Sequence, residues 1–177
     1  MTKPFHRRNR WFAAAAFSTG VLAIFSAQGR SMHDGALIDR LIKGLRTARG
    51  VNRPAVEKAI GLHLRATDSD EYFASYVSDP RQDGAVRLDI DLREPKPRSG
   101  ATGGALLVVN VTGGCLPRAA LEARYGPLTL SQVPHGHSED EQSYWTRAEP
   151  WGELAFGFAE RRPDCLGSVV FTAPDAA

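Results

Sequence analysis

The sequence predicts an α+β fold in which short helices pack on an antiparallel β-sheet. Apolar residues recur at helical spacing in three stretches, and seven other stretches are rich in β-branched and aromatic residues and bounded by turn formers. The 17 Gly and 11 Pro residues favour short elements joined by turns. A helical phrase also occurs twice, as "VNRPAVEKAIG" and "CLPRAALEARYG", so a tandem duplication of a helix-then-strands unit is possible.

The first two helices are predicted to form a hairpin. Within residues 36–49, apolar side chains fall at the i, i+3, i+4, i+7 spacing of a helix with one buried face, with Asp34 as its N-cap and Gly50 as its terminator. A second helix begins near Pro54, a residue favoured in the first helical turn, and ends at Gly61.

Strands follow each helical phrase. The second strand alternates apolar residues with Arg87, Asp89, Asp91 and Arg93, as expected of a sheet with one face on the core and one in water. Residues 94–104, rich in Pro, Gly and Ser, are either a hairpin loop or a hinge between two halves. The predicted strands are 71–79, 85–93, 105–113, 128–133, 142–148, 152–160 and 166–173, with the third helix at 115–126.

Residues 1–29 have the pattern of a secretory signal peptide. The start, "MTKPFHRRNR", has four basic residues and no acid, and an apolar run and small residues follow it. We expect cleavage after Gly29, a periplasmic or secreted protein, and no stable membrane anchor after cleavage. The leader holds four of the 22 Lys and Arg residues, which leaves 18 against 20 acidic residues, a formal charge of −2. No basic stripe with interleaved aromatic residues remains, so nucleic-acid binding is not expected.

The chain has two cysteines, Cys115 and Cys165. An even count in an oxidising compartment, with neither residue in a C-x-x-C motif, predicts a structural disulfide between them. We therefore divide the chain into the signal peptide at 1–29, a first α+β unit at 30–113, and a disulfide-closed second unit at 114–177.

The two helical phrases can be aligned residue by residue. Four positions are identical and two are apolar in both copies. The pairs are Arg53/Arg118, Ala55/Ala120, Glu57/Glu122, Gly61/Gly126, Val56/Leu121 and Ile60/Tyr125. Either the helices share descent, or any short amphipathic helix that ends at glycine has this appearance.

A helix of this form followed by antiparallel strands resembles the unit of the β-lactamase-inhibitory proteins and of the outer-membrane assembly lipoproteins of the BamE/SmpA type. The matching residues are "PAVEKAIG" and "AALEARYG". The inhibitory proteins carry the unit twice and tie a helical segment to a strand by disulfides, to which Cys115 and Cys165 are similar in placement. This chain has no cysteine pair in the first copy and no lipobox cysteine. The resemblance implies a tandem helix-plus-sheet fold in a periplasmic inhibitor or immunity protein.

Catalytic motifs are not found in the sequence. No serine lies in G-x-S-x-G, and paired cysteines leave no thiolate nucleophile. His135 and His137 are weak candidate metal ligands, because an extended segment could direct both at one ion, although an exposed polar loop has the same composition. We expect no enzymatic activity and no cofactor.

The segment that contains these histidines is the predicted partner-binding surface. It combines acidic residues and histidines with aromatic residues, the types found at interface hot spots, although the tryptophans could instead pack in the core. The candidates are His135, His137, Glu139, Asp140, Glu141, Tyr144 and Trp145.

Function is therefore predicted only as a class, an exported protein-binding module. The leading hypothesis is a periplasmic inhibitor or immunity protein that neutralises a secreted toxin or a cell-wall hydrolase, by its sheet face or by insertion of an acidic loop such as 137–141. The alternatives are an envelope assembly or scaffold protein and a metal-dependent hydrolase that uses His135 and His137.

Overall fold

The structure, a computed structural model, describes residues 34–97 and 99–174. The predicted signal peptide and its cleavage site lie outside the described residues. The helices are α1 (Ala36–Ala48), α2 (Arg53–Ile60) and α3 (Arg118–Tyr125). The strands are β1 (Arg65–Ala66), β2 (Phe73–Val77), β3 (Arg81–Asp83), β4 (Val86–Pro95), β5 (Leu106–Gly113), β6 (Thr129–Gln132), β7 (Gln142–Glu149), β8 (Gly152–Ala159) and β9 (Ser168–Thr172).

The described strands form one antiparallel sheet, which confirms the predicted α+β class. The strand order is β1-β2-β4-β5-β9-β8-β7-β6, and β3 pairs with β4 beside β2. Strands β4 and β5 pair with each other as a hairpin, from Arg93 with Leu106 to Val86 with Gly113, and Glu94 and Pro95 at the start of the predicted loop still belong to β4. Strand β5 also pairs with β9, which makes the sheet continuous across the predicted boundary between 113 and 114. The division into two units stays a prediction.

Two short strands were not predicted. Strand β1 has two residues, Arg65 and Ala66, and β3 has three, all of them polar. Neither has an apolar alternation, because each pairs on one side only and buries little of its surface. Pairing with longer neighbours, rather than local pattern, makes them strands.

The three helices contribute to one core with a single face of the sheet. Their buried positions include Leu41, Val56 and Leu121, and the strand positions in this cluster alternate along β4, β5, β8 and β9. The buried strand residues are Val86, Leu88, Ile90, Leu92, Leu107, Val109, Val111, Leu154, Phe156, Phe158, Val169 and Phe171. No helix among the described residues is both long and apolar enough to cross a membrane.

The predicted N-cap of α1 is wrong. The N-cap residue is Gly35, in the left-handed conformation, and its predecessor Asp34 is buried with Oδ1 accepting from the backbone N–H of Ala85 at 2.8 Å. The N–H of Leu37, in the first turn of the helix, donates to Oδ2 of Asp83, also at 2.8 Å. The helix start is therefore satisfied by β3, far away in sequence, which local pattern cannot reveal.

The predicted disulfide joins Cys115 to Cys165. Pro117 and Cys165 also form an isolated antiparallel bridge, and the N–H of Leu166 donates to the carbonyl of Leu116 at 3.0 Å. The bond therefore fastens the start of α3 to the segment that enters β9.

Helices α1 and α3 are joined by a buried phenol. The hydroxyl of Tyr125 donates to Oδ1 of Asp39, and Arg124 donates to the same carboxylate at 3.0 Å. Burial, and then the hydrogen bond to Asp39, raise the pKa of Tyr125 above its usual range. In the unfolded chain this phenol ionises near pH 10, so its contribution to stability is complete below about pH 10 and is lost as the pH rises towards the folded pKa.

We expect Tyr125→Phe to lower the free energy of unfolding by about 1–2 kcal/mol at pH 8, since a hydrogen bond to a charged acceptor is lost. The variant should then lose less stability than the wild type between pH 8 and pH 11. Urea unfolding at both pH values measures the difference. Tyr72→Phe, at an exposed tyrosine, should keep the wild-type pH dependence. Equal losses in wild type and Tyr125→Phe would contradict the assignment.

The two halves are related by an approximate two-fold arrangement of strands. In each half a helix precedes an antiparallel meander whose last long strand, β5 or β9, lies at the centre of the sheet. The central ladder pairs Leu107 with Phe171, Val108 with Val170 and Val109 with Val169. A two-fold axis through the Val108–Val170 pair exchanges β5 with β9 and leaves this ladder unchanged.

In the first half, the repeated helix is fixed to the sheet by an arginine. Arg53 forms an ion pair with Glu57 at 2.8 Å, and its guanidinium lies 4.6 Å from the centroid of the Tyr76 ring on β2. The carboxylate of Glu57 also accepts from the N–H of Leu64, and this bond, followed by the one from Arg53, holds the pKa of Glu57 below its usual range.

The second half repeats this contact. Arg118 pairs with Glu122 at 3.4 Å and lies 4.0 Å from the centroid of the Trp145 ring on β7. Tyr76 and Trp145 occupy corresponding places, because each strand is next to the outermost strand on its side of the sheet. The Arg and Glu identities of the helical phrase thus serve one structural role in both halves. Common descent stays a hypothesis.

Candidate functional site

The sheet has a second face, opposite the helices, which we call the open face. Alternation along each strand places on it the residues between the core positions. On the five central strands these are Arg87, Asp89, Asp91, Arg93, Leu106, Val108, Asn110, Thr112, Ser168, Val170, Thr172, Glu153, Ala155, Gly157, Ala159, Gln142, Tyr144, Thr146 and Ala148.

The centre of the open face is apolar. Val108, Val170 and Ala155 lie side by side on β5, β9 and β8; the two valines are half-buried, Ala155 is buried, and Leu106 on the next row is 37% exposed. Antiparallel sheets that face water normally carry polar residues at such positions. This apolar stripe, half-buried at its valines and exposed at Leu106, is therefore a candidate contact surface.

One rim of the open face is charged and ordered by its own contacts. The Arg93 guanidinium lies 4.1 Å from the centroid of the Phe73 ring and donates to Asp70 at 2.8 Å. The hydrogen bond from the backbone N–H of Phe73 and, to a smaller extent, the one from the Arg93 guanidinium hold the pKa of Asp70 below its usual range. Farther along β4, Asp89 accepts from the Asn110 amide at 2.9 Å.

The opposite rim carries an aromatic ring held against the strands. A Cβ built on Gly157 would lie 2.9 Å from the Tyr144 ring, 1.9 Å from Oε1 of Gln142 and 2.4 Å from Oγ of Ser168. Glycine at this position therefore lets these side chains lie close over β8. The Ser168 hydroxyl donates to Gln142 at 2.5 Å, which fixes the amide beside the ring.

Near the disulfide the open face deepens into a cavity of about 650 Å³. Asn110 and Gln142 contribute to its lining from opposite sides of β9, and Arg161 and Arg162 from the loop that leads to Cys165. Arg161 forms an ion pair with Asp140 at 2.8 Å, and Arg162 donates to the carbonyl of Gly114 at 3.1 Å. The lining therefore includes two amides and two cations that are already engaged in ion pairs or hydrogen bonds.

The predicted partner-binding residues are only partly brought together. His135, Asp140, Glu141 and Tyr144 line a small cavity of about 270 Å³ next to the rim. Glu141 accepts from the N–H of His135 at 2.5 Å and of Gly136 at 3.1 Å, which closes the loop on itself.

The remaining predicted residues lie apart or serve the loop. The backbone carbonyl of Glu139 accepts from the N–H of Arg161 at 3.0 Å, while the Glu139 residue is exposed. Trp145 lies on the helix side of β7 beneath Arg118, away from the ring of Tyr144. Successive residues of a strand point to opposite faces, so the alternation could have separated the two aromatic residues in advance. The sequence left open whether the tryptophans pack in the core or lie on a contact surface, and Trp151 is buried in the core.

The candidate metal ligands His135 and His137 are both exposed, with ring centroids 6.4 Å apart. Within residues 34–97 and 99–174, no group of three or more His, Cys, Asp or Glu side chains is placed to hold a metal ion.

The sequence reasoning missed the apolar stripe of the open face. A signal was present in β5, because Leu106 and Val108 add apolar residues to the face that neighbouring β4 keeps charged. The lining of the cavity near the disulfide had no such signal, since Asn110, Gln142 and Arg161 come together only through the pairing of distant strands.

Comparison with protein-family models, with curated proteins and with solved structures finds no match for this chain in any of the three. The open face, with its apolar centre, two ordered rims and adjoining cavity, is therefore the basis for a functional conclusion.

Proposed function

We propose that this chain is an exported protein-binding module, an inhibitor or immunity protein that occludes a secreted toxin or a cell-wall hydrolase with its open face. The observation that carries the proposal is the stripe of Val108, Val170 and Leu106 on a sheet face turned away from the helices. Burial of such a stripe on a partner contributes about 25 cal/mol for each Å² removed from water.

The rims support a specific rather than a merely adhesive surface. Interface hot spots combine a rigid aromatic or arginine anchor with neighbours that exclude water, and Tyr144 and Arg93 are both held in place by contacts within the chain. A preorganised side chain loses little conformational freedom on binding, so more of its contact energy remains as affinity.

The adjoining cavity adds a place for one protruding partner side chain. Its polar lining of Asn110, Gln142 and Arg162 suits a hydrogen-bonding group better than an aliphatic one. The similarity of the repeated helical phrase to that of the β-lactamase-inhibitory proteins points to the same class of function, by fold-level analogy alone.

The test is capture of the partner from a periplasmic extract on the purified, disulfide-bonded protein, followed by an activity assay of the captured enzyme. We expect a stoichiometric complex with a secreted enzyme that is thereby inhibited. Val108→Lys should weaken binding at least about tenfold, because a lysine ammonium would be buried at the centre of the contact. Val108→Thr, of the same shape, and Lys43→Glu, on the exposed side of α1, are the matched controls.

Two results would contradict the proposal. Recovery of envelope assembly proteins without any secreted enzyme would favour the scaffold function instead. A complex that Val108→Lys leaves at full strength, in a protein with an unchanged melting temperature, would show that the open face does not make the contact.

A further inference from the structure

The outermost strand on one side of the sheet is unusually exposed. Strand β6 is hydrogen-bonded to β7 on one side only, and all four of its residues are exposed. Leu130 is 44% exposed, and Val133, just beyond the strand, is 55% exposed. An outer strand presents unpaired backbone N–H and C=O groups, which can bond to another strand.

The chemistry of this edge differs from that of the opposite edge. The segment from Pro127 to Pro134, "PLTLSQVP", has no charged residue. The opposite edge, β1, has two residues, begins with Arg65, and is followed by the acid-rich stretch 68–71. Short length, charge and a β-bulge each protect an edge against pairing: β1 has two residues and a charge, whereas β6 has four residues, no charge and one register shift against β7.

The two exposed apolar side chains of the β6 edge, Leu130 and Val133, share one side of the sheet. Leu130 lies opposite Trp145 and Gln132 opposite Tyr144, with a register shift between them. Leu130 therefore shares the helix side with Trp145, and Gln132 shares the open face with Tyr144. By alternation Val133 returns to the side of Leu130, so the two apolar residues follow each other along the edge.

We propose that β6 pairs antiparallel with β6 of a second copy of this chain, so that the two sheets continue into one. In the fitting register, Leu130 lies opposite Val133 of the second copy, and Ser131 lies opposite Gln132. This pairing is reciprocal, covers both exposed apolar side chains with an apolar neighbour, and places no like charges opposite each other. Pro127 and Pro134 limit the paired segment, since proline cannot donate to a ladder.

The same features explain why the second copy is the occupant and why assembly ends at two. A two-fold pairing uses the β6 edge of both copies, and the protected β1 edges at the two far ends admit no further strand. The chain already contains an antiparallel contact of this symmetry, where β5 meets β9 about Val108 and Val170. The dimer does not rest on the function proposed for the open face.

Sedimentation equilibrium of the purified, disulfide-bonded protein across a wide concentration range tests the dimer. We expect a monomer–dimer equilibrium in which Leu130→Lys with Val133→Lys raises the dissociation constant at least about tenfold, because four ammonium groups would then meet at the edge. Ala66→Lys, on the opposite edge β1, is the matched control and should leave the equilibrium unchanged. Circular dichroism shows whether each variant is folded.

Cysteine trapping tests the register. Antiparallel partners have Cα atoms about 4.5–5.5 Å apart, within the range that a disulfide spans. We expect the double variant Leu130→Cys, Val133→Cys to form a covalent dimer on oxidation and Leu130→Cys alone to form little. A wild type that stays monomeric at every concentration, or a dimer that the lysine variant leaves intact, would overturn the proposal. A dimer that the double cysteine variant does not trap would overturn the register.

Discussion

Replacement of both cysteines by serine is expected to lower the free energy of unfolding by about 4 kcal/mol, the value that chain entropy gives for a loop of this length. The bond spans 50 residues in sequence and encloses α3, β6, β7 and β8. Without the bond, the unfolded chain gains conformations. In the folded state the start of α3 is then held to the segment around Cys165 by backbone contacts of Leu116 and Pro117 and by hydrogen bonds from Arg162 to the carbonyls of Gly113 and Gly114.

Urea unfolding of the wild type, with and without reductant, and of Cys115→Ser with Cys165→Ser measures this effect. Reductant should change the wild type and leave the double serine variant unchanged, which makes the variant its own control. A loss below about 1 kcal/mol would mean that the bond constrains the unfolded chain far less than the entropy model requires.

Phe156→Ala is expected to lower the free energy of unfolding by about 3–5 kcal/mol, the range for a fully buried phenylalanine. The ring is 0% exposed, stacks on Tyr125 with 5.4 Å between centroids, and lies in the ladder between Trp145 and Val169. Its loss would leave a cavity where α3 meets the sheet.

Two matched variants calibrate the Phe156 result. Phe156→Leu keeps most of the volume and should cost less than about 1.5 kcal/mol. Leu106→Ala removes an apolar side chain of similar size from the open face, where it is 37% exposed, and should cost well below Phe156→Ala. If Phe156→Ala and Leu106→Ala cost the same in urea unfolding, the ring is not part of a closed core.

Elements with a strong apolar period were predicted to within a few residues. Helix α1 and strand β4 each have one buried face, so their periods of 3.6 and 2 are visible in the sequence. The ends were less accurate: α3 begins at Arg118 rather than at residue 115, because the chain between Cys115 and Pro117 is extended to bridge Cys165. The short strands β1 and β3 have no such period.

The candidate site was predicted less well than the fold. The loop residues His135, Asp140 and Glu141 lie at the rim of the open face beside Tyr144, but much of their bonding capacity is used within the loop and its neighbour Arg161. The centre of the site consists of ordinary strand residues, Val108 and Val170. Their exposure depends on which face the helices cover, and no residue type shows this.

The sequence alone determined the class of the fold, the sites of its helices and long strands, and the pairing of Cys115 with Cys165. These follow from local periodicity and from a count of two cysteines. Only the tertiary structure decided that β5 pairs with β9, that Asp83 caps α1, and that an apolar stripe lies on the sheet face opposite the helices. The physical reason is that periodicity states which residues of a strand share a face, whereas the neighbour of that strand is chosen by packing among residues far apart in the chain.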